Sequence, residues 1–326
     1  MKKRVFSGAR PTSRQHIGNL LGAIHNYVEL QKQYDECIYC IVDIHALTTL
    51  EDTSKIQANI RDIALDWLAA GIDPKKSIVF VQSYVPEVTE LHTLLSMVTP
   101  LSWLLRVPTF KEKAKAQPDN VNYGLVGYPV LMASDIILYK AKVVPVGEDQ
   151  LPHLELTREI ARRFNNIFGE TFPEPQAKLT EFPLIPGLTG KGKMSKSDEQ
   201  SAIEIAHSED ETRKRIMNAV TDPERKYRAD PGHPDVCAIY ALHKFFTESE
   251  VKNIEQQCKE AKIGCVDCKK KLVESLNASL RPLRLRRAEL AADPAYIQKI
   301  LAEGAERARV LARATMTEVR QKMGLR

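Results

Sequence analysis

Short apolar runs alternate with longer helical patterns through the first half of this chain, and that alternation limits its fold more than any other feature. Val5-Phe6 opens a short strand, and Leu20, Leu21, Ile24, Tyr27, Val28 and Leu30 follow at helical spacing. The stretch from Cys37 to Val42 is continuously apolar, as a strand buried on both faces is. Ile56, Ile60, Ile63, Trp67 and Leu68 mark the next helix, with Thr53 or Ser54 to cap it, Gly71 to end it and Pro74 beyond. Ile78 to Val81 reads as another strand. Val143, Val144 and Val146 make a later one, followed by a helix carrying Leu154, Leu156, Ile160, Ala161, Phe164 and Ile167. Repeated β and α units predict an α/β fold with a doubly wound parallel sheet and helices on both faces. Such sheets bind nucleotides at the carboxyl ends of their strands.

From about residue 200 the character changes. Strand-like runs become scarce, and long amphipathic patterns dominate, such as Ile297, Ile300, Leu301, Ala305, Ala308, Val310, Leu311, Thr315 and Val319. The expected division is a Rossmann-like domain over 1–199 and a helical domain over 200–326. Hydrophobic residues make up 43% of the chain and charged residues 27%, which supports an ordinary core. No stretch approaches the ~18 uninterrupted apolar residues of a membrane span. The basic N-terminus lacks the apolar region of a signal peptide, so a cytoplasmic protein without a membrane partner is expected. The net charge of +5 permits a polyanionic partner. Between Arg213 and Arg228 six Lys/Arg stand against Asp222 and Glu224, and Arg281, Arg284, Arg286 and Arg287 form a second basic run. Solvated helix faces give the same local pattern. Both runs lie in the C-terminal part, so a nucleic acid is expected there.

Two motifs carry chemistry. Ser7-Gly8-Ala9-Arg10-Pro11-Thr12 leads to His16-Ile17-Gly18-Asn19, where the first strand turns into the first helix. A helix N-terminus offers unpaired N–H groups and a favourable dipole to phosphate. Gly8 and Gly18 permit close approach, His16 and Asn19 can donate to phosphate oxygens, and Arg10 adds charge. In isolation a capping turn with an incidental surface histidine is the better reading of this motif. The second motif is Gly192-Lys193-Met194-Ser195-Lys196-Ser197-Asp198. Its lysines suit a mobile clamp that neutralises a leaving pyrophosphate, although a solvated linker has the same composition.

Together, the two motifs resemble the signatures of class I aminoacyl-tRNA synthetases. The resemblance narrows to the tryptophanyl-tRNA synthetase family over nearly the full length. It is carried by Phe6 to Gly22, Ile41 to Leu47, Tyr128 to Tyr139, Val144 to Gln150 and His153 to Asn165. It implies that ATP and L-tryptophan react to give tryptophanyl-adenylate and pyrophosphate, and that the amino acid then passes to the 3′ end of tRNA(Trp). In this family the Tyr-Pro-x-Leu-Met-Ala-x-Asp segment lines the amino-acid pocket. Carried over, Asp135 accepts the indole N–H, which is a donor only. Phe6, Gly8, Tyr128, Met132, Val144 and Val146 shape the slot, and His45 and Gln150 hold the amino and carboxyl ends. ATP is implied at Arg10, Pro11, Thr12, His16, Gly18, Asn19, Gly147, Glu148, Asp149, Ile185, Lys193, Met194, Ser195, Lys196 and Ser197. Lys111, Lys193 and Lys196 are the implied catalytic cations. The family commonly carries Gln in place of Arg10 and Thr in place of His16. Mg²⁺ with the ATP and a homodimer are also implied.

Six cysteines remain. Cys37 and Cys40 fall in a strand, where residues three apart face opposite sides, and read as core thiols. Cys237, Cys258, Cys265 and Cys268 are spaced C-x20-C-x6-C-x2-C. Disulfides are rare in a reducing compartment, and four thiolates suit zinc or an iron–sulfur cluster. Only one pair is a close C-x-x-C, whereas zinc sites often have two. A subset of the resembled family has this pattern and binds a 4Fe-4S cluster beside its anticodon-recognising region. The resemblance therefore implies such a cluster in a structural role, fixing Lys269 and Lys270 for anticodon contact. The competing readings are a tyrosine-specific synthetase, whose phenol is also a donor, a small-molecule adenylyltransferase, and a non-catalytic RNA-binding relative.

Overall fold

The structure is a computed structural model that describes residues 3–179, 185–190, 192–195 and 198–325. In chain order, β1 (Arg4–Ala9) is followed by α1 (Ile17–Asn19), a π-helical turn (Leu20–Ile24), α2 (His25–Gln33), β2 (Glu36–Ile41), α3 (Asp43–Ala46), α4 (Ile56–Ala70) and β3 (Ser77–Val81). Then come α5 (Glu87–Ser96), α6 (Leu101–Arg106), α7 (Pro108–Ala116), α8 (Tyr123–Leu138), β4 (Val143–Val146), α9 (Leu151–Phe168) and β5 (Gln176–Leu179). The remainder is helical: α10 (Glu209–Asn218), α11 (Ala238–Phe246), α12 (Val251–Lys259), α13 (Cys265–Ala291) and α14 (Pro294–Lys322).

The five strands form one parallel sheet in the order β3-β2-β1-β4-β5. β2 lies between β1 and β3, with Val5 opposite Cys37 and Cys37 opposite Ser77. This central position accounts for its unbroken apolar run, and Cys37 and Cys40 are both buried. The winding reverses between β1 and β4, which makes the sheet a doubly wound, Rossmann-like one and places a crevice at their carboxyl ends. β5 was not legible in the sequence. It is an edge strand with partly exposed residues, so Gln176 and Lys178 interrupt any apolar run. The α4 cap also differs from expectation. The capping residue is Lys55, without a side-chain bond, and Ser54 N–H instead donates to Asp52 Oδ1. Gly71 closes α4 at a φ of 113°, a conformation that suits glycine.

The chain forms two compact units. Met1–Thr12, Asn26–Glu181 and Asp293–Arg326 make the first, and Ser13–His25 and Phe182–Ala292 the second. The expected single boundary at 199/200 differs from this at three places: residues 13–25 and 185–199 count with the helical unit, and α14 with the sheet. The core of the first unit explains the last point. Ala305, Ala308, Ala312, Met316 and Val319 are buried there with Phe80, Val88 and Leu91. Gly304 lets α14 lie directly against β3, because a Cβ there would collide with the Val79 carbonyl. Arg307 Nη1 donates to Pro74 O at 2.7 Å and Ser77 O at 3.1 Å, and Arg320 Nε to Glu90 Oε1 at 2.7 Å. Helical periodicity identified α14 but carried no information about which surface it covers.

The second unit packs Ile216, Ile239, Leu242, Ile254, Leu272, Leu276 and Leu280 in its interior. Ser208 and Glu211 form a reciprocal capping box at the start of α10. Among the described residues no helix is long and apolar enough to cross a membrane.

Candidate active site

In the first unit, a cavity of about 500 Å³ opens at the carboxyl ends of β1 and β4. Phe6 and Gly8 from β1, Val144 and Val146 from β4, and Met132 from α8 supply apolar walls. A Cβ on Gly8 would sit 3.0 Å from Val42 Cγ1, so glycine keeps β1 close to its neighbour here. Asp135 lies in this lining and is 3% exposed. Its Oδ2 accepts from His45 Nε2 at 2.9 Å and from Gln82 Nε2 at 2.8 Å, and its Oδ1 accepts from Gln82 Nε2 at 2.9 Å. Gln82 is itself oriented, its Oε1 accepting the N–H groups of Ile44 at 3.1 Å and His45 at 3.3 Å. A carboxylate has roughly four acceptor positions, so these bonds leave about one for a donor brought in by a ligand. Apolar walls around a few fixed polar groups are the pattern of a small-molecule site.

The same cavity carries charge. Arg10, Glu112, Lys113, Asp149 and Gln150 line it. Lys113 Nζ sits 3.9 Å from the centre of the Tyr128 ring. Burial, and then the charge of Arg10, bring the Lys113 ammonium down to about 8. Burial also lowers Arg10, which a guanidinium tolerates without losing its proton. Arg10 Nη2 donates to Thr49 Oγ1 and to Ala46 O. His153 Nε2 is 2.7 Å from Thr109 Oγ1. Burial, more than the nearby Lys113, draws the His153 ring down to about 4, so it is neutral at pH 7.

In the second unit, His16 caps α1. Its Nδ1 accepts from Gly18 N–H at 3.1 Å, and its own N–H donates to Asn19 Oδ1 at 3.0 Å. These atoms therefore hold the turn together, the structural role that the motif also suggested. Ile17 N–H donates to Ile203 O at 2.9 Å and Ile205 N–H to Gln15 O at 3.0 Å, which fixes the turn against the segment after the second motif. Met194 N–H donates to Ile185 O at 2.8 Å, and Pro186 and Lys193 form an isolated bridge. Ile185 and Met194 are buried, Lys193 is exposed, and Ser195 N–H donates to Ser201 Oγ at 3.2 Å. The His16–Asn19 half of the first motif and the described part of the second thus belong to one compact unit, whereas Ser7 to Thr12 belong to the other. Lys196 and Ser197 lie outside the described residues.

Cys237, Cys258, Cys265 and Cys268 line one small cavity of about 20 Å³ in the second unit, together with Arg225, Ile239, Ile254 and Ile263. Among the described residues, no three His, Cys, Asp or Glu side chains are disposed as a metal-ligand set. Burial raises the Cys237 and Cys258 thiols and pushes Cys268 up to about 12. Arg225 Nη1 approaches Cys258 Sγ at 3.8 Å. Lys269 is buried, and its Nζ donates to Met217 O at 2.9 Å and Ala219 O at 2.7 Å, closing the end of α10. Lys270 is exposed.

Comparison with known proteins decides the family. The sequence matches the family described as tRNA synthetases class I (W and Y) over residues 1–281. The chain belongs to that family. It is 47% identical to the tryptophan–tRNA ligase of Thermotoga maritima, covering 99% of each chain, and 48% identical to that of Deinococcus radiodurans, covering 98% of each. In structure it resembles tryptophanyl-tRNA synthetase from Campylobacter jejuni, a protein solved with ADP and tryptophan. The TM-score is 0.89 at 37% identity, over 99% of this chain and 100% of that one. The small-molecule adenylyltransferase reading is set aside by this membership.

In this class I synthetase, all nine residues expected around the amino acid line the first-unit cavity: Phe6, Gly8, His45, Tyr128, Met132, Asp135, Val144, Val146 and Gln150. His45 stands in this lining with its Nε2 bonded to Asp135. Of the residues expected at ATP, Arg10, Gly147 and Asp149 are in the lining, whereas Pro11, Thr12 and Glu148 are not. Lys111 is exposed and outside this cavity, and Lys113 stands in its lining. Residues two apart on a helix do not share a face, so only one of the pair can point inward. Gln82, Thr109 and His153 were missed. For Gln82 a signal existed, since it is the first polar residue after the β3 run, at a carboxyl strand end where ligands bind.

The pKa of Lys113 gives a testable pH dependence. A depressed ammonium loses its proton, and its attraction for phosphate, as pH rises through about 8. The kcat/KM for ATP, which reports the free enzyme, is expected to decline above that pH. Lys113→Met should be low and flat over the same range. A parental profile with no break between neutrality and the ordinary lysine range would remove Lys113 from the phosphates.

Proposed function

We infer that this synthetase is a tryptophan–tRNA ligase. It activates L-tryptophan with ATP and transfers the amino acid to the 3′ end of tRNA(Trp). The observation that carries the reading is the Asp135 carboxylate, held by His45 and Gln82 in an apolar cavity with an acceptor position to spare. Indole is a donor only, so a fixed acceptor at an apolar wall suits it. A phenol is a donor too, and the identity to tryptophan–tRNA ligases weighs for tryptophan over tyrosine.

The tryptophan carboxylate attacks the α-phosphorus of ATP in line and pyrophosphate leaves. The terminal ribose hydroxyl of the tRNA then attacks the mixed anhydride. Positioning and charge stabilisation do most of this work. Within the first unit, Arg10, Pro11, Thr12, Lys111, Gly147, Glu148 and Asp149 are proposed for adenosine and phosphates, and Lys113, which lines the cavity, is added to them. Within the second, His16, Gly18, Asn19, Ile185, Lys193, Met194 and Ser195 are proposed for ATP, together with Lys196 and Ser197. Mg²⁺ is proposed to accompany the phosphates. The helical unit is proposed to face the tRNA anticodon, and a cytoplasmic homodimer is proposed from the family resemblance. Pyrophosphate exchange into ATP, run with each standard amino acid, tests the function: tryptophan should support it far better than tyrosine or phenylalanine. Equal exchange with tyrosine would sink the specificity.

The four cysteines of the second unit are proposed to hold a 4Fe-4S cluster. Four thiols facing one cavity, with Ile239, Ile254 and Ile263 as apolar walls and Arg225 as a counter-charge, supply the donor chemistry such a cluster takes. The cavity admits about one water-sized body, so loading requires the thiol-bearing walls to open. Charging tRNA moves no electrons, so the cluster's contribution is structural. Protein purified without oxygen should be brown and contain about four irons per chain. One tightly bound zinc and no iron would assign the site to zinc.

A further inference from the structure

We propose that Thr109, Tyr128 and His153 form a positioning network that sets the place of Lys113 according to the occupancy of the tryptophan slot. The inference rests on the tryptophan–tRNA ligase reading of that cavity. Three helices meet at one hydroxyl. Thr109 Oγ1, in the first turn of α7, lies 2.6 Å from Tyr128 OH on α8 and 2.7 Å from His153 Nε2 on α9. Tyr128 OH and His153 Nε2 are 3.3 Å apart. Both rings line the cavity, and their centres are 5.3 Å apart in an edge-on arrangement.

The direction of the hydrogen bonds follows from what is left unpaired. His153 Nδ1 is buried and has no partner. A neutral imidazole has one N–H and one lone pair, and an orphaned buried N–H is the rarer and costlier of the two. The proton therefore sits on Nε2, which donates to Thr109 Oγ1. The Thr109 hydroxyl then donates to Tyr128 OH. The phenolic proton at the end of this chain is left to turn towards the cavity that Tyr128 lines. The Tyr128 ring face also carries Lys113 Nζ at 3.9 Å. Thr109 and Lys113 are four residues apart on α7, a spacing that places them on one face of the helix. A side chain entering the slot presses on the Tyr128 ring. That ring is tied to α7 twice, by the Thr109 bond and by the Lys113 contact. The same helix thus senses the amino acid and carries a cation for the phosphates.

Thr109→Val keeps the shape and removes the hydroxyl. Its rate of tryptophan-dependent pyrophosphate exchange should fall by about 10- to 100-fold, the usual consequence of a small misplacement near the reacting atoms. Tryptophan binding measured without ATP should stay near the parental value, and Thr109→Ser should restore the rate. That division between turnover and binding, with rescue by the conservative variant, is not produced by loosened packing. If Thr109→Val does not fold, Thr109→Ala removes the same hydroxyl with a smaller side chain and is judged by the same division. Parental turnover in the folded variant overturns the network. So does an equal loss of turnover and binding that Thr109→Ser leaves uncorrected. A parental protein that gives no exchange with tryptophan overturns the ligase reading and, with it, the role of the network.

Discussion

Asp135→Ala should weaken tryptophan binding by about 10- to 100-fold, since an unpaired buried donor costs on the order of 1–3 kcal/mol. The indole N–H loses its acceptor, and this part of the loss falls on binding alone. His45 Nε2 and Gln82 Nε2 lose theirs as well, because both donate to Asp135 in the free protein. That part should be read as a fall in stability, measurable by melting without ligand. The KM for ATP should change little, because Arg10 and Lys113 are not bonded to this carboxylate. Asp135→Asn is the informative companion. It is nearly isosteric, but it turns an NH₂ towards donors that need an acceptor, so it should lose tryptophan affinity too. A tryptophan KM and kcat unchanged in Asp135→Ala would take Asp135 out of the pocket.

What the sequence could reveal follows from what each pattern encodes physically. The β2 run was legible because Cys37 to Ile41 are buried on both faces of a parallel strand, which favours apolar side chains at successive positions. β5 was hidden because an edge strand carries no such requirement. Around the amino acid, the nine residues supplied by family resemblance do line one cavity, whereas those found only by geometry contact the first set from other segments. Gln82 holds Asp135 from 53 positions away, and Thr109 meets His153 across 44. No local periodicity records such a pairing. The Lys111 and Lys113 case has a different origin. Phe110-Lys111-Glu112-Lys113 offers two cations of identical chemistry, and only the phase of α7 against Tyr128 places Lys113 in the cavity lining. The division into compact units departs from a boundary at 199/200 for a related reason. An amphipathic helix states that it buries a face, and the surface it covers is settled by shape, here by a glycine against a strand.

Gly304→Ala isolates that last contact, and its sign is what makes it decisive. In the interior of an exposed helix this substitution stabilises by roughly 1 kcal/mol, since alanine is the better helix former. Gly304 is interior to α14, and propensity alone therefore predicts a gain. The structure predicts the opposite. The new Cβ would overlap the carbonyl of Val79, and backbone has no rotamer by which to yield. α14 must lift from β3, which also strains the Arg307 bonds to Pro74 O and Ser77 O. The buried Ala305 and Ala308 beside it are displaced with the helix. Overpacking of this kind costs about 3 kcal/mol, near the upper end of its usual range. At about 2–4 °C per kcal/mol for a unit of this size, the melting temperature should drop by roughly 6–12 °C. Exchange activity at low temperature should persist, because Gly304 does not line the cavity. A variant that melts higher than the parent would show that α14 does not rest on β3 at this residue, and the close packing of the C-terminal helix on the sheet would have to be redrawn.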